Sequence, residues 1–169
     1  FDCVTRTMIE SARLVYQRQK ESGVERRHFT VSNCLVNMVS PDQYADFLLP
    51  CDLRIAKSFG LIGVHNCAWN ANPYLDHYSR IPEVGYLDMG IESDLERARE
   101  VFPSARRALM YTPMDVKDKD SDALRRDLET IADQYGPCDI VFADIETDTP
   151  DERVQELIRL CDDISQSRS

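Results

Sequence analysis

Glycine is scarce in this chain, with six residues in all, and none stands in a G-x-G-x-x-G, G-x-x-x-x-G-K or G-x-S-x-G order. Without such a loop the chain lacks the backbone cradle of a dinucleotide or nucleoside-triphosphate site, and it lacks the nucleophile elbow of a serine hydrolase. Long apolar runs are missing too: nothing approaches eighteen consecutive apolar residues, so no segment reads as a transmembrane helix. The opening FDCVTR has neither a basic n-region nor an apolar h-region, so no signal peptide is legible, and it does not begin with Met. Positive charge is in short supply, since thirty acidic residues outnumber twenty Lys and Arg and leave a net charge of −10. That balance argues against a phosphate-tracking nucleic-acid binder and against an anionic membrane surface.

What is present suits a folded core. The 169 residues fit one domain of ordinary size, 43% are hydrophobic, and the 30% that are charged mix both signs. Six cysteines stand at 3, 34, 51, 67, 138 and 161, too scattered for a small disulfide framework. Reduced thiols in a cytoplasmic protein are the expectation, most of them ordinary buried side chains.

The pattern alternates helix and strand. Residues 4–22 carry Met8, Ala12, Leu14 and Val15 at helical spacing, with Gly23 as the stop. A strand is expected over 29–34. Ser40 then caps a helix that opens with Pro41, kinks near Pro50 and ends at Gly60. Further strands are expected at 61–67, 84–89, 107–111 and 139–145. Helices follow them from Asn72-Pro73 to about Ile81, over 93–102, over 121–135 and over 150–166. The acidic stretch 115–122 reads as a solvated loop. Strands beginning at 29, 61, 84, 107 and 139, each followed by a helix, mean βα units, a parallel sheet and right-handed crossovers.

Polar residues collect where those strands end: Ser32, Asn33 and Cys34; His65, Asn66 and Cys67; Asp88; Tyr111 and Thr112; Asp144 and Glu146. In parallel α/β folds the site lies at that carboxyl edge, because the loops converge there. His65-x-Cys67 is the sharpest feature. Residues i and i+2 of a strand share a face, so imidazole and thiolate can meet on one zinc ion, which needs about three protein ligands and one open position in a catalytic site. Asp144 or Glu146 is the expected third ligand, with Cys34 a further candidate. Against this stands a bland reading, in which His65 bonds a neighbouring loop and Cys67 packs in the core. Asp88 suits a base or substrate anchor, or a turn cap, and Cys34 a nucleophile or a buried thiol. Trp69 stands to line a substrate pocket or to cover the rim.

Assembled in order, these motifs resemble the C-terminal part of the uroporphyrinogen decarboxylase superfamily over residues 24–164. FTVSNC (29–34) followed by VSPDQYADFLLP (39–50) resembles the family's strand and its "SP..F..F..P" helix. LIGVHNC (61–67) resembles the H-x-C-G strand of the zinc-dependent corrinoid methyltransferase branch. YLD (86–88) with SDLERAR (93–99), TPMD (112–115) and DIETDTP (144–150) are similar to the segments that follow. The departures are specific. The His that decarboxylases carry after the last strand is absent from FADIE (142–146), their active-site Ser falls at Cys34, and the last zinc-binding Cys of the methyltransferases is missing.

The resemblance implies a partial TIM (β/α)₈ barrel of about five parallel βα units, with 1–169 forming one domain and the C-terminal portion of a longer barrel. A complete barrel takes about 250 residues. It implies a methyltransferase-like enzyme portion, inactive alone, with zinc on His65, Cys67 and Asp144 or Glu146, and a thiol substrate methylated from a corrinoid that a partner protein supplies. Asp88 and Cys34 would be catalytic; Asn33, Trp69, Tyr111 and Asp115 would contact a small-molecule substrate. Three alternatives stay open: a metal-free ligand-binding member, a decarboxylase of tetrapyrrole biosynthesis, and a structural half-barrel whose open edges are covered in a homodimer.

Overall fold

The computed structural model describes residues 1–26 and 28–168. It holds α1 (Asp2–Glu21), β1 (His28–Ser32), α2 (Pro41–Gln43), α3 (Leu49–Phe59), β2 (Leu61–His65), α4 (Leu75–Tyr78), β3 (Val84–Met89) and α5 (Leu95–Val101). Then come β4 (Arg106–Tyr111), α6 (Pro113–Asp118), α7 (Ser121–Gln134), β5 (Asp139–Phe142) and α8 (Asp151–Ser167). The five strands form one sheet in the order β1-β2-β3-β4-β5, every neighbouring pair parallel. A parallel pair cannot close through a hairpin, so each crossover must carry a helical segment, and each does. The fold is a partial (β/α)₈ barrel: five units, with β1 and β5 at its open edges.

The helices bury one stripe each. Leu124, Leu128 and Ile131 of α7 and Leu157, Leu160 and Ile164 of α8 recur at three- and four-residue steps and lie in the core. Each such side chain contributes about 2 kcal/mol through burial. The helix start at Ser40 is a capping box, Gln43 N donating to Ser40 Oγ (3.1 Å) while Ser40 N donates to Gln43 Oε1 (2.9 Å). The kink expected at Pro50 takes the form of a π-helical turn, Tyr44–Leu48, between α2 and α3. Pro50 has no N–H for the carbonyl one turn back, and the widened turn absorbs that loss. Gly60, at φ 82, ends α3 in a conformation that favours glycine.

Several boundaries differ from expectation. The acidic stretch is not all loop: α6 forms over Pro113–Asp118, with Thr112 Oγ1 accepting from Asp115 N (3.1 Å) and Pro113 preset for the first turn. Asp94, not Ser93, caps α5; Ser93 is buried, and its Oγ accepts from Ala71 N (3.0 Å). On α1 the packed stripe is Thr5, Ile9, Ala12 and Tyr16, the Tyr16 ring lying against Phe59, while Met8, Leu14 and Val15 face outward. Three strands stop short of expectation, at Ser32, His65 and Phe142. Their polar tails leave the sheet and build the loops above it.

Candidate metal centre

The strand register sets the first row of the site. Ser32 pairs with His65, and His65 with Asp88, so three strand ends stand side by side on adjacent strands. Asp88 is completely buried (0% exposed). A carboxylate there must find donors, and it finds two: His65 Nδ1 at 2.6 Å on Oδ2, and Asn66 N at 2.8 Å on Oδ1. The carboxylate only accepts, so Nδ1 carries the hydrogen and Nε2 is left with its lone pair facing outward from Asp88. Burial pulls the His65 pKa down, but the hydrogen bond and charge of Asp88 outweigh it and hold the imidazole above its ordinary value.

The second row comes from a turn. His65 is the last residue of β2, and Cys67 sits beyond it at φ 54, so their convergence rests on the turn and not on strand alternation. That turn is pinned on three sides. Tyr78 OH donates to Asn66 Oδ1 (2.8 Å), Asn66 Nδ2 donates to the Trp69 carbonyl (3.3 Å), and Gly90 N donates to the same carbonyl (3.0 Å). A Cβ at Gly90 would fall 2.0 Å from the Ala68 oxygen, so only glycine lets the turn lie this close.

So held, Cys67 Sγ lies 3.2 Å from His65 Nε2 and 3.1 Å from Cys34 Sγ. Cys34 follows β1 and has Ser32 Oγ 3.0 Å from its sulfur. The Ser32 hydrogen bond, joined by the one from Cys67, lowers the Cys34 thiol pKa. Burial raises that of Cys67, and so does its hydrogen bond to Cys34. Of the two thiols, Cys34 is thus the more readily ionised.

Among the described residues, Cys34, His65 and Cys67 form a group whose ligand atoms all lie within 4.8 Å of one another. Two sulfurs and one imidazole nitrogen are a zinc donor set, and three protein ligands leave a fourth position open. Bonds of about 2.3 Å to sulfur and 2.0 Å to nitrogen set tetrahedral edges of about 3.6–3.8 Å, so the separations of Cys67 from His65 and Cys34 need open by only about half an ångström. All three side chains are half-buried, which leaves the open position reachable.

Of the three candidates for a third ligand, the group contains Cys34 and neither Asp144 nor Glu146. Asp144 and Glu146 lie outside this group, because β5 is three strand spacings from β2, about 14 Å along the sheet. Glu146 accepts instead from Lys117 Nζ (2.6 Å), and Asp144 is exposed at φ 54. Tyr111 is buried with its hydroxyl donating to Asp127 (2.6 Å), and Asp115 pairs with Lys119 (3.1 Å), so both are engaged within the fold. Asn33 N donates to the His65 carbonyl (2.7 Å), while its side-chain nitrogen is buried and unpartnered. Trp69 stands half-exposed on the loop after Cys67. Asn66, Tyr78 and Gly90 went unassigned in the sequence. Asn66 had one visible signal, its place between the His and the Cys; the other two had none.

No protein-family model matches the chain, and no curated protein matches it. Among solved structures it is similar to a methyltransferase from Methanosarcina mazei, with 18% identity and a TM-score of 0.67 over 93% of this chain and 47% of that one. This chain therefore spans about half the length of that structure, and the likeness is one of fold.

Proposed function

We propose that this chain carries the zinc centre of a thiol methyltransferase, with Cys34, His65 and Cys67 as ligands and a corrinoid protein as the partner that presents the methyl group. The observation that carries the reading is the convergence of two sulfurs and the Nε2 of a carboxylate-oriented histidine at the carboxyl edge of a parallel sheet. Zinc in that position would supply the Lewis acidity that keeps a substrate thiol as its thiolate near neutral pH. The chain's own residues do the rest. Asp88 fixes the His65 tautomer, Ser32 orients the Cys34 sulfur, and the turn pinned on Gly90 and Tyr78 sets Cys67. Leu35 and Met38 after β1 and Trp69 after β2 are exposed and follow the two cysteines closely in the chain, an apolar rim on which a partner can present its methyl group. The similarity to a methyltransferase fold supports the reading. His65 and Cys67 face each other at 3.2 Å, the convergence a shared metal needs, rather than pointing apart.

Metal analysis of the full chain tests it. One zinc per chain is expected, lost in His65→Ala and in Cys67→Ser. With the zinc form in hand, methylcobalamin as donor and a small thiol as acceptor provide the activity assay. A chain that takes up no zinc from micromolar solution at neutral pH refutes the reading.

A further inference from the structure

The two sulfurs that would hold the metal also touch each other, and this has a chemistry of its own. Cys34 Sγ and Cys67 Sγ are 3.1 Å apart, whereas a disulfide needs about 2.05 Å, so closure asks for a movement of about 1 Å. Neither cysteine is locked in a strand: both sit in turns, and both are half-buried, open to a small oxidant. We propose that Cys34 and Cys67 form a reversible disulfide when a peroxide reaches the site, and that this link dismantles the metal-binding group. The first clause stands on the sulfur geometry alone; the second rests on the zinc reading above.

The steps balance. The Cys34 sulfur attacks one oxygen of hydrogen peroxide, the O–O bond breaks, and the departing hydroxide leaves as water with the thiol proton. Cys34 is then a sulfenic acid. The Cys67 sulfur attacks the Cys34 sulfur, the S–S bond forms, the S–O bond breaks, and the second hydroxide leaves as water with the Cys67 proton. Two thiols have lost two electrons and two protons, and one peroxide has become two waters. Of the three ligands only His65 remains, and one imidazole does not retain zinc against water. A thiol reductant restores both ligands.

The full chain, reduced and stripped of metal, is treated with hydrogen peroxide, its thiols are counted, and its peptides are mapped. Two of the six thiols should disappear, a Cys34–Cys67 peptide should appear, and dithiothreitol should reverse both. Cys34→Ser and Cys67→Ser should each abolish the link. Cys138→Ser should leave it intact, although Cys138 and Cys161 line a common cavity and are the rival pair. A Cys138–Cys161 link, or thiol loss with no Cys34–Cys67 peptide in the unmutated chain, overturns the proposal. A second arm oxidises zinc-loaded protein in the presence of a metallochromic dye, with one zinc expected free per link formed. If the link forms but the reduced chain takes up no zinc, the disulfide stands and the zinc reading falls. If zinc binds but no link forms, the reverse holds.

Discussion

Asp88→Asn is the substitution that separates an oriented zinc ligand from an ordinary core histidine. The wild-type carboxylate accepts twice, from His65 Nδ1 at 2.6 Å and from Asn66 N at 2.8 Å. An asparagine of nearly the same shape has one oxygen and one NH₂, so it can accept from only one of the two. If its oxygen stays on Asn66 N, its NH₂ meets His65 Nδ1, which must give up its hydrogen to accept. The hydrogen then moves to Nε2, the nitrogen 3.2 Å from Cys67 Sγ, where it blocks the lone pair a metal needs. If the amide flips, the buried Asn66 N–H is opposed by another donor, at a cost of about 1–3 kcal/mol. Loss of such a carboxylate partner lowers zinc affinity about 10–100-fold, equivalent to about 1.4–2.7 kcal/mol. Competition for zinc against a chromophoric chelator reads this directly, with denaturant melts of the metal-free forms alongside to register any change of fold. An unchanged zinc affinity in a folded Asp88→Asn variant would refute the orientation argument.

Gly90→Ala should destabilise the chain by about 1–3 kcal/mol in urea melts and weaken zinc binding, because its Cβ has nowhere to go but into the Ala68 carbonyl. Glu146→Gln and Asp144→Asn should leave zinc affinity unchanged, since neither carboxylate belongs to the ligand group; a loss in either would restore the sequence expectation. The Asp52 carboxyl, held above its ordinary 3.8 by burial despite the Tyr44 hydrogen bond, stabilises the fold below 3.8 and loses that contribution as pH rises through its elevated pKa. Urea melts of Asp52→Asn against wild type should therefore shift in the variant's favour from acid toward neutral pH. The His65–Asp88 pair of the metal-free protein likewise stabilises fully below 6.5 and fades as pH rises through the raised His65 pKa, so wild type and His65→Gln should converge in melting temperature with increasing pH.

The sheet was legible because its signals are local and repeated: five apolar runs, each followed by a helical segment, several of them marked by a Ser, Pro or Gly at the start or stop. The helix starts at Ser40 and Asn72-Pro73 and the stops at Gly23 and Gly60 stand where turn chemistry puts them. His65 and Cys67 were legible as a pair for a reason that proved incomplete, since the turn at Cys67 does what strand alternation was expected to do. The choice among the candidates for a third ligand was not legible. Choosing Cys34 over Asp144 or Glu146 requires knowing that β1 and β2 are neighbours while β5 lies across the sheet, and a sequence gives strand order only through its connections. Gly90 was opaque for the same reason: its constraint comes from a backbone atom of Ala68, 22 positions earlier in the chain, and no local pattern encodes that contact.

The division of charge across the sheet explains why the acidic residues of a −10 chain do not make the candidate cation site. At the β4 and β5 ends the carboxylates are already answered: Lys119 bridges Asp115 (3.1 Å) and Asp127 (2.6 Å), and Lys117 bridges Glu146 (2.6 Å) and Asp148 (3.1 Å). At the β1–β3 ends, among the described residues, no lysine or arginine forms an ion pair with the group, and the Asp88 carboxylate is satisfied by N–H donors. The candidate ligands are two thiols, which would ionise on binding a metal, and an imidazole that would bind in its neutral form. Two thiolates would balance the double charge of zinc, so a bound metal would leave no uncompensated charge in the half-buried site. Soft sulfur donors also disfavour magnesium and calcium, which take oxygen. The three sulfur and nitrogen donors stand at or just after the ends of β1 and β2, and their supports come from β1, β3, the loops after these strands and α4, so the candidate group sits apart from the paired charges at the β4 and β5 ends.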